Sequence, residues 1–204
     1  MRIAASLALA LAACSTAPMP APARPADPCP PPAVAFNPTP VTATPELAAG
    51  MARLSFMRGV WRGPASGTSR DGSHYLVTQT EHMGPMLGGD IVVIEGRGYK
   101  DDGTTGFNAF AVVSYDPRKA TYEIRSYAMG FAGTFEMKLT DTGYIWEVPA
   151  GPTAVVRFTA TVTGDTWREV GEYVAAGKPP VPNFEMNLKR VADTDWPLAP
   201  VSPE

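Results

Sequence analysis

Ionisable side chains that could contact a ligand lie in two segments with strand-like composition. The first segment places Tyr75, Val77, Gln79 and Glu81 at every second position, and the second does the same with Ile91, Val93, Glu95 and Arg97. Because alternate residues of a strand share one face, each set predicts a wall with an apolar and a polar end. Such a wall is typical of a ligand cavity, which makes Tyr75, Glu81 and Arg97 candidate ligand-binding residues. For the charged residues, an ordinary solvent-facing ion pair is the alternative.

Aromatic residues supply the remaining candidates for a cavity wall. Trp61, Tyr127 and Trp146 occur in segments with strand-like composition, and large aromatic side chains cover much of the surface of an apolar ligand. Core packing explains the same residues equally well. The sequence therefore leaves open whether these side chains line a cavity or fill a core.

Motifs for enzymatic or cofactor chemistry are absent from the sequence. The only histidines, His74 and His82, would lie about 26 Å apart on a shared strand, too far to bind one metal ion. Histidine and cysteine together do not supply the ligands of a zinc site, and there is no Gly-x-Ser-x-Gly nucleophile elbow. We therefore predict no catalytic residue, no metal site and no cofactor. An enzyme that uses a cavity carboxylate such as Glu81 as general acid or base is the alternative.

The N-terminus has the pattern of an exported, lipid-anchored protein. Arg2 precedes an apolar stretch that is too short to span a bilayer as a helix and is typical of a signal peptide, residues 1–13. The stretch ends in Leu-Ala-Ala-Cys, which resembles the bacterial lipobox, so we expect the lipid on Cys14. Ser15, rather than Asp, follows this cysteine. By resemblance to Gram-negative lipoproteins, this predicts a lipid anchor in the outer membrane, with the protein facing the periplasm.

A proline-rich tether is predicted between the anchor and the folded domain, over residues 14–44. Eleven of the 22 prolines fall between Pro18 and Pro45, a composition that favours an extended spacer over a packed segment. The folded domain is expected at residues 45–192, and a proline-rich tail follows at 193–204. The net charge of −3, with no run of Lys or Arg, argues against nucleic acid as a partner.

The sequence of this domain predicts one short helix followed by a strand meander. Thr44 is a suitable N-cap and Pro45 a suitable first helical residue. After Gly59, apolar residues tend to recur at every second position, which is typical of strands. Strands are predicted at 59–69, 73–83, 89–98, 105–115, 120–128, 132–140, 143–148, 153–163, 165–175 and 184–192, with Gly, Asp and Pro between them. About ten strands favour an all-β, antiparallel, up-and-down barrel, and a two-sheet sandwich is the alternative.

Three stretches resemble a bacterial lipoprotein domain family of unknown function with a calycin-type, lipocalin- or nitrobindin-like, barrel. They are Leu54–Gly63, with the pattern Leu-x-Phe-Met-x-Gly-x-Trp-x-Gly; Tyr115, Asp116, Pro117, Lys119 and Tyr122; and Met186–Arg190. The resemblance implies that Trp61 closes one end of the barrel. Nitrobindin-like relatives bind haem through a histidine near the C-terminal strand, and residues 183–191 contain none, so the resemblance does not extend to haem.

These patterns together predict a non-enzymatic lipoprotein of the cell envelope whose barrel binds or carries a small, largely apolar ligand. A structural or adaptor lipoprotein with a filled barrel, acting on a protein partner through its surface, is the alternative from another class. Whether the interior is open or filled distinguishes the two.

Overall fold

The computed structural model describes residues 43–69 and 71–198. Ten antiparallel strands form one closed barrel in which strands adjacent in sequence pair, and β1 pairs with β10. They are β1 (Gly59–Thr68), β2 (His74–Met86), β3 (Ile91–Tyr99), β4 (Thr105–Asp116), β5 (Thr121–Ala128), β6 (Phe131–Leu139), β7 (Gly143–Pro149), β8 (Ala154–Thr163), β9 (Thr166–Ala175) and β10 (Val181–Ala192). The predicted all-β, up-and-down barrel is confirmed, and the sandwich is excluded.

The largest boundary differences occur in β2 and β10. β2 was expected to end at residue 83, but it continues to Met86 because Met86 pairs with Ile91 of β3. The turn is thereby confined to residues 87–90. β10 begins at Val181 rather than at 184, since a register shift beside Pro182 lets the strand continue past the proline.

The predicted helix is α1 (Pro45–Ala52), and it packs against β4 and β5. The Oγ1 atom of Thr44 accepts a hydrogen bond from the backbone N–H of Leu47 at 3.2 Å, as expected of an N-cap. The hydroxyl of Tyr122 donates to the backbone oxygen of Gly50 at 2.7 Å. A side chain at Gly50 would collide with the ring of Tyr115, so this glycine allows the helix to approach the barrel closely.

The end of the barrel beside α1, where β1 begins, is the closed end. Ten side chains that are at most 2 % exposed pack in or against this end of the barrel: Trp61, Trp167, Met51, Leu54, Met57, Met83, Met137, Leu188, Val92 and Val113. The indole N–H of Trp61 donates to the backbone oxygen of Met57 at 2.9 Å. The guanidinium of Arg190 lies 4.1 Å from the centre of the Trp61 ring. Trp61 therefore takes the end-closing position that the resemblance implied.

The opposite end of the barrel, which we call the open end, carries the β1–β2 loop and the β5–β6 loop. The seam between β6 and β7 is only partly paired. It has three residue pairs, from Met137 with Trp146 to Leu139 with Tyr144. The neighbouring β5–β6 and β7–β8 seams form seven pairs each. Towards the open end the edges of β6 and β7 are therefore unpaired with each other, which leaves a gap in the wall.

Two sequence predictions fall partly or wholly outside the described residues. Cys14, with the leader and most of the tether, lies outside them. Of the C-terminal tail, the structure describes residues up to 198, where Trp196 stacks on His82 on the outer face of β2 at 3.9 Å between ring centres. No helix within 43–69 and 71–198 is long and apolar enough to cross a membrane.

Candidate functional site

The inner surface towards the open end is formed largely by aromatic side chains. The strand register and the alternation of burial place eight of them on the inner face: Tyr75, Phe107, Phe131, Phe135, Trp146, Phe158, Tyr173 and Phe184. We call this set the aromatic wall. Tyr75, Phe131 and Tyr173 are 37 %, 64 % and 40 % exposed, and the other five are half-buried. Inward side chains of the barrel remain accessible where its end is open or where the β6–β7 gap opens its wall.

Neighbouring rings of the aromatic wall contact one another around the barrel. Trp146 stacks on Phe158 with 4.8 Å between ring centres, and Phe135 lies 5.6 Å from Trp146. Phe158 in turn meets the edge of Phe184 at 6.0 Å. The stack crosses the weakly paired β6–β7 seam, so the gap in the wall opens beside Phe135 and Trp146.

Two grooves flank the rim of the open end. One has a volume of about 410 Å³ and lies at the β5–β6 turn, where it contacts Ala109, Ala128 and Phe131 of the inner face and Phe110 and Tyr127 of the outer face. The other, of about 570 Å³, lies at the β7–β8 turn beside Ala154 and Ala175. Both grooves are largely open to solvent.

A cluster of mostly buried polar side chains lies on the inner faces of β2, β7 and β9. It consists of Gln79, Glu81, Tyr144, Trp146 and Glu169, and we call it the polar cluster. Gln79 Nε2 donates to Glu81 Oε1 at 2.7 Å. Tyr144 Oη donates to Glu169 Oε2 at 3.1 Å, and Trp146 Nε1 donates to Glu169 Oε1 at 3.4 Å. Trp146 thus belongs to the polar cluster and to the aromatic wall.

Both carboxyl groups of the polar cluster have strongly shifted acidities. Burial raises the pKa of Glu81 from its usual 4.5 to about 8, and the charges of Glu169 and Glu95 add to the increase. Burial also raises the pKa of Glu169 to about 7, although donors on Trp146, Tyr144 and Trp167 lower it. Burial beside these acids raises the pKa of Tyr144 well above 10. Near neutral pH the pair therefore holds one to two protons, which is a state that desolvated carboxyl groups favour.

Gly96 explains how β2 and β3 accommodate the Glu81 carboxyl group. Gly96 is the β3 partner of Glu81 in the ladder, and a Cβ placed on it would lie 2.8 Å from both carboxyl oxygens. The sequence thus provides space for a buried acid by removing the facing side chain.

Gly96→Ala is expected to lower the free energy of unfolding by about 1–3 kcal/mol, because the added methyl forces Glu81 out of its place. Gly106→Ala is the matched control, since the nearest atoms there belong to the flexible side chain of Lys100 at 3.2 Å. Urea denaturation of both variants measures the difference. Equal stability of the two variants would contradict the packing described for Glu81.

The structure brings three predicted site residues towards one region of the interior and places a fourth at the mouth. Glu81 and Trp146 belong to the polar cluster, and Trp61 is the ladder partner of Glu81 on β1. Tyr75 lies on the same face of β2 as Glu81, at the open end.

Arg97 and Tyr127 lie on the outer face, away from the other candidates. Arg97 forms an ion pair with Glu95, and Tyr127 accepts a hydrogen bond from Arg125 Nε at 2.9 Å. The expectation that Glu95 and Arg97 belong to the inner wall is wrong, because the even-numbered residues of β3 face inwards. Val92, Val93 and Ile94 are apolar on both faces, so hydrophobic alternation could not decide the orientation of this strand.

Sequence reasoning did not single out Glu169 and Tyr144 as site residues. Trp167, Glu169 and Gly171 alternate in β9 as the inward residues of β2 do. That alternation is the signal that could have found Glu169. It needed the register of β8 and β9, however, to show that the acid faces Tyr144 rather than solvent.

Histidines and acids do not gather into a metal site in the part of the chain that the structure describes. No three His, Cys, Asp or Glu residues lie together there. His74 Nδ1 is 3.2 Å from Thr68 Oγ1, and His82 Nε2 is 3.0 Å from Asp195 Oδ1 on the outer face.

A comparison with solved structures shows a similar barrel in another protein. The crystal structure of Rv2717c from M. tuberculosis is similar with a TM-score of 0.53 and 13 % sequence identity, over 70 % of this chain and 98 % of that one. The likeness shows the fold alone. No family model matches the chain, and no curated protein matches it.

Proposed function

We propose that this protein binds or carries a small, largely apolar molecule in the open end of its barrel. The observation that supports this function best is the aromatic wall, whose inward side chains remain accessible in a closed barrel. A ligand in this position would cover apolar surface that water now contacts. Burial of about 300 Å² of apolar surface contributes roughly 7 kcal/mol before the entropic cost of binding, which is enough for useful affinity.

The gap between β6 and β7 and the exposed rim provide a route for such a ligand. Met129 and Phe131, at the β5–β6 turn, are 59 % and 64 % exposed, and Leu76 on β2 is 64 % exposed. Apolar side chains at a cavity entrance allow an apolar molecule to enter without crossing a charged surface. We therefore place the entrance at the open end.

The proposal includes a location in the cell envelope, with the protein held at a membrane by lipid on Cys14. The lipobox-like sequence at Cys14 and the following proline-rich segment support it. The outer membrane, facing the periplasm, and membership of the calycin-like lipoprotein domain family are part of the same proposal. A carrier of apolar molecules is useful in an aqueous compartment between membranes, where free apolar molecules dissolve poorly.

Native mass spectrometry of the protein purified from its own host tests the carrier function. We expect the native mass to exceed the denatured mass by the mass of a retained small molecule. Repeated preparations without any retained molecule, together with failure of apolar probes to bind, would favour the adaptor function.

General acid–base catalysis is a second candidate, favoured by two buried carboxyl groups with pKa values of about 8 and 7. Such values suit proton transfer near neutral pH. If the protein is an enzyme, a retained molecule will be converted during incubation with the wild type and stay unchanged with Glu81→Gln. An unchanged molecule in both samples would leave the carrier function as the better explanation.

A further inference from the structure

Three turns at the open end differ in charge from the other turns of the barrel. They are the β5–β6, β7–β8 and β9–β10 turns, which follow one another around the rim. Asp favours turns, and an aspartate lies in or directly beside each of the other six: Asp71, Asp90, Asp101, Asp116, Asp141 and Asp165. The three turns and the strand ends beside them, residues 128–131, 149–154 and 175–181, contain no Asp or Glu. We call these residues the acid-free rim.

The acid-free rim exposes apolar side chains at its tips. Met129, Phe131 and Val181 are 59 %, 64 % and 57 % exposed. The two grooves lie at the β5–β6 and β7–β8 turns, and no charged residue lines either of them. The gap between β6 and β7 opens between the same two turns. Apolar tips, uncharged grooves and the gap in the wall thus share one side of the open end.

Two cations lie at or behind the acid-free rim without a carboxylate partner. Lys178, in the β9–β10 turn, is the one charged residue of the rim. Arg125 lies on the outer face of β5, where its Nε donates to the hydroxyl of Tyr127 at 2.9 Å. Within the described part of the chain neither cation forms an ion pair. Positive charge beside apolar tips is complementary to a surface that is anionic outside and apolar beneath.

We propose that the acid-free rim docks on the surface of an anionic lipid bilayer, with its apolar tips among the lipids and Lys178 at the phosphate groups. The ring of Tyr127, set behind Met129 on β5, then lies at the level of the headgroups, where amphipathic aromatic residues are favoured. Apolar tips on separate turns suit a fluid bilayer, whereas a protein partner would need a shape that matches all three turns. The inference goes beyond the proposed function, because it concerns the rim and holds whether or not the barrel contains a ligand.

The chain that precedes the barrel would keep the rim within reach of such a surface. The lipid anchor proposed on Cys14 is about 30 residues from Thr44, and an extended chain of that length spans up to about 100 Å. A strand of ten residues is only about 33 Å long. The folded chain begins with α1 at the closed end, but this length allows the open end to face the bilayer. Docking would add a second attachment to the lipid, and two such signals hold a protein at a membrane more firmly than one.

A single fluorescent label tests the docking in the full chain. Cys14→Ser and Cys29→Ser remove the lipid acceptor and both native thiols, and Met129→Cys or Leu87→Cys then provides one site for an environment-sensitive dye. Leu87 is the matched control, because it is 73 % exposed in the β2–β3 turn at the closed end. Its backbone φ of 54° is also close to the 50° of Met129. With vesicles of phosphatidylethanolamine and phosphatidylglycerol, we expect a blue shift of the emission at position 129 and none at position 87.

Two pairs of variants in the same cysteine-free chain test the chemistry of docking by co-sedimentation with these vesicles. Met129→Glu should weaken binding about tenfold, because a carboxylate enters the lipid interface poorly and is repelled by phosphate. Leu87→Glu should leave binding unchanged. Lys178→Gln should weaken binding about fivefold at low salt and less at high salt. Lys119→Gln, in the β4–β5 turn at the closed end, is its control.

Three outcomes would overturn bilayer docking. They are the absence of a shift at position 129, an equal shift at positions 129 and 87, and an equal loss of vesicle binding in Met129→Glu and Leu87→Glu. A shift at position 129 that depends on protein concentration without vesicles would instead assign the rim to a second copy of the chain. Both labelled positions are exposed turn residues, so the comparison needs no substitution in the core. None of these outcomes bears on the cavity, whose ligand binding is measured without vesicles.

Discussion

Glu81→Gln is expected to raise the free energy of unfolding at pH 8.5 by an amount on the order of 4 kcal/mol, and to change it little at pH 4. The folded barrel raises the pKa of Glu81 from 4.5 to about 8. Between these two values the unfolded chain loses the proton while the folded protein retains it. Stability from this group is therefore fully present below pH 4.5 and falls as the pH rises towards 8. Glutamine carries no charge, so the variant avoids the loss.

Urea denaturation of the wild type, Glu81→Gln and Glu136→Gln at several pH values measures this effect. Glu136 is exposed on the outer face, so its variant should follow the wild type across the range. An equal or lower stability of Glu81→Gln at pH 8.5 would contradict a buried, poorly compensated carboxyl group. Glu169→Gln should show the same trend over a narrower range, because the pKa of Glu169 rises only to about 7.

Trp61→Ala is expected to lower the free energy of unfolding by about 3–5 kcal/mol, the usual cost of removing a large core aromatic side chain. Trp61 is fully buried, meets Trp167 edge to face at 5.6 Å and lies beneath Arg190. The substitution also leaves the backbone oxygen of Met57 without its donor. Urea or thermal unfolding measures the loss.

Trp146→Ala is the comparison for Trp61→Ala, since Trp146 is half-buried in the aromatic wall. We expect a smaller loss of stability for Trp146→Ala. A larger loss for Trp146 than for Trp61 would mean that the open end is as firmly packed as the closed end, and that would contradict an open cavity.

The destabilising acids are informative because a barrel core does not need them. A protein of this fold could fill the positions of Glu81 and Glu169 with apolar side chains and gain stability at neutral pH. Buried acids that reduce stability at neutral pH are expected at functional sites. The polar cluster is therefore a better candidate for ligand recognition than the surface ion pairs, which are exposed and contribute little.

The sequence was sufficient for the architecture because the signals for it are local. Alternating side chains, turn residues and the Thr44–Pro45 helix start predict the number and order of elements. The sequence alone specifies which face of a strand is buried only where apolar and polar residues alternate. Arg97 was placed on the wrong face because β3 is apolar on both sides.

The composition of the site depended on contacts between distant strands. Glu169 meets Tyr144 and Trp146 through the β7–β8 and β8–β9 ladders, and no local pattern specifies these partners. The accessibility of inward rings such as Phe131 likewise depends on the closure of the whole barrel. This is why the sequence could propose a cavity but could not distinguish it from a filled core.

Titration with a neutral fluorescent probe, N-phenyl-1-naphthylamine, tests most directly whether the open end is a binding cavity. We expect saturable binding to the wild type and at least a tenfold loss of affinity in Ala128→Trp, which places an indole on the inner face beside Ala109. Glu123→Trp, on the same strand but on the outer face and outside that groove, should bind as the wild type does. Equal binding to all three proteins, or no binding to any, would contradict a ligand cavity at the open end.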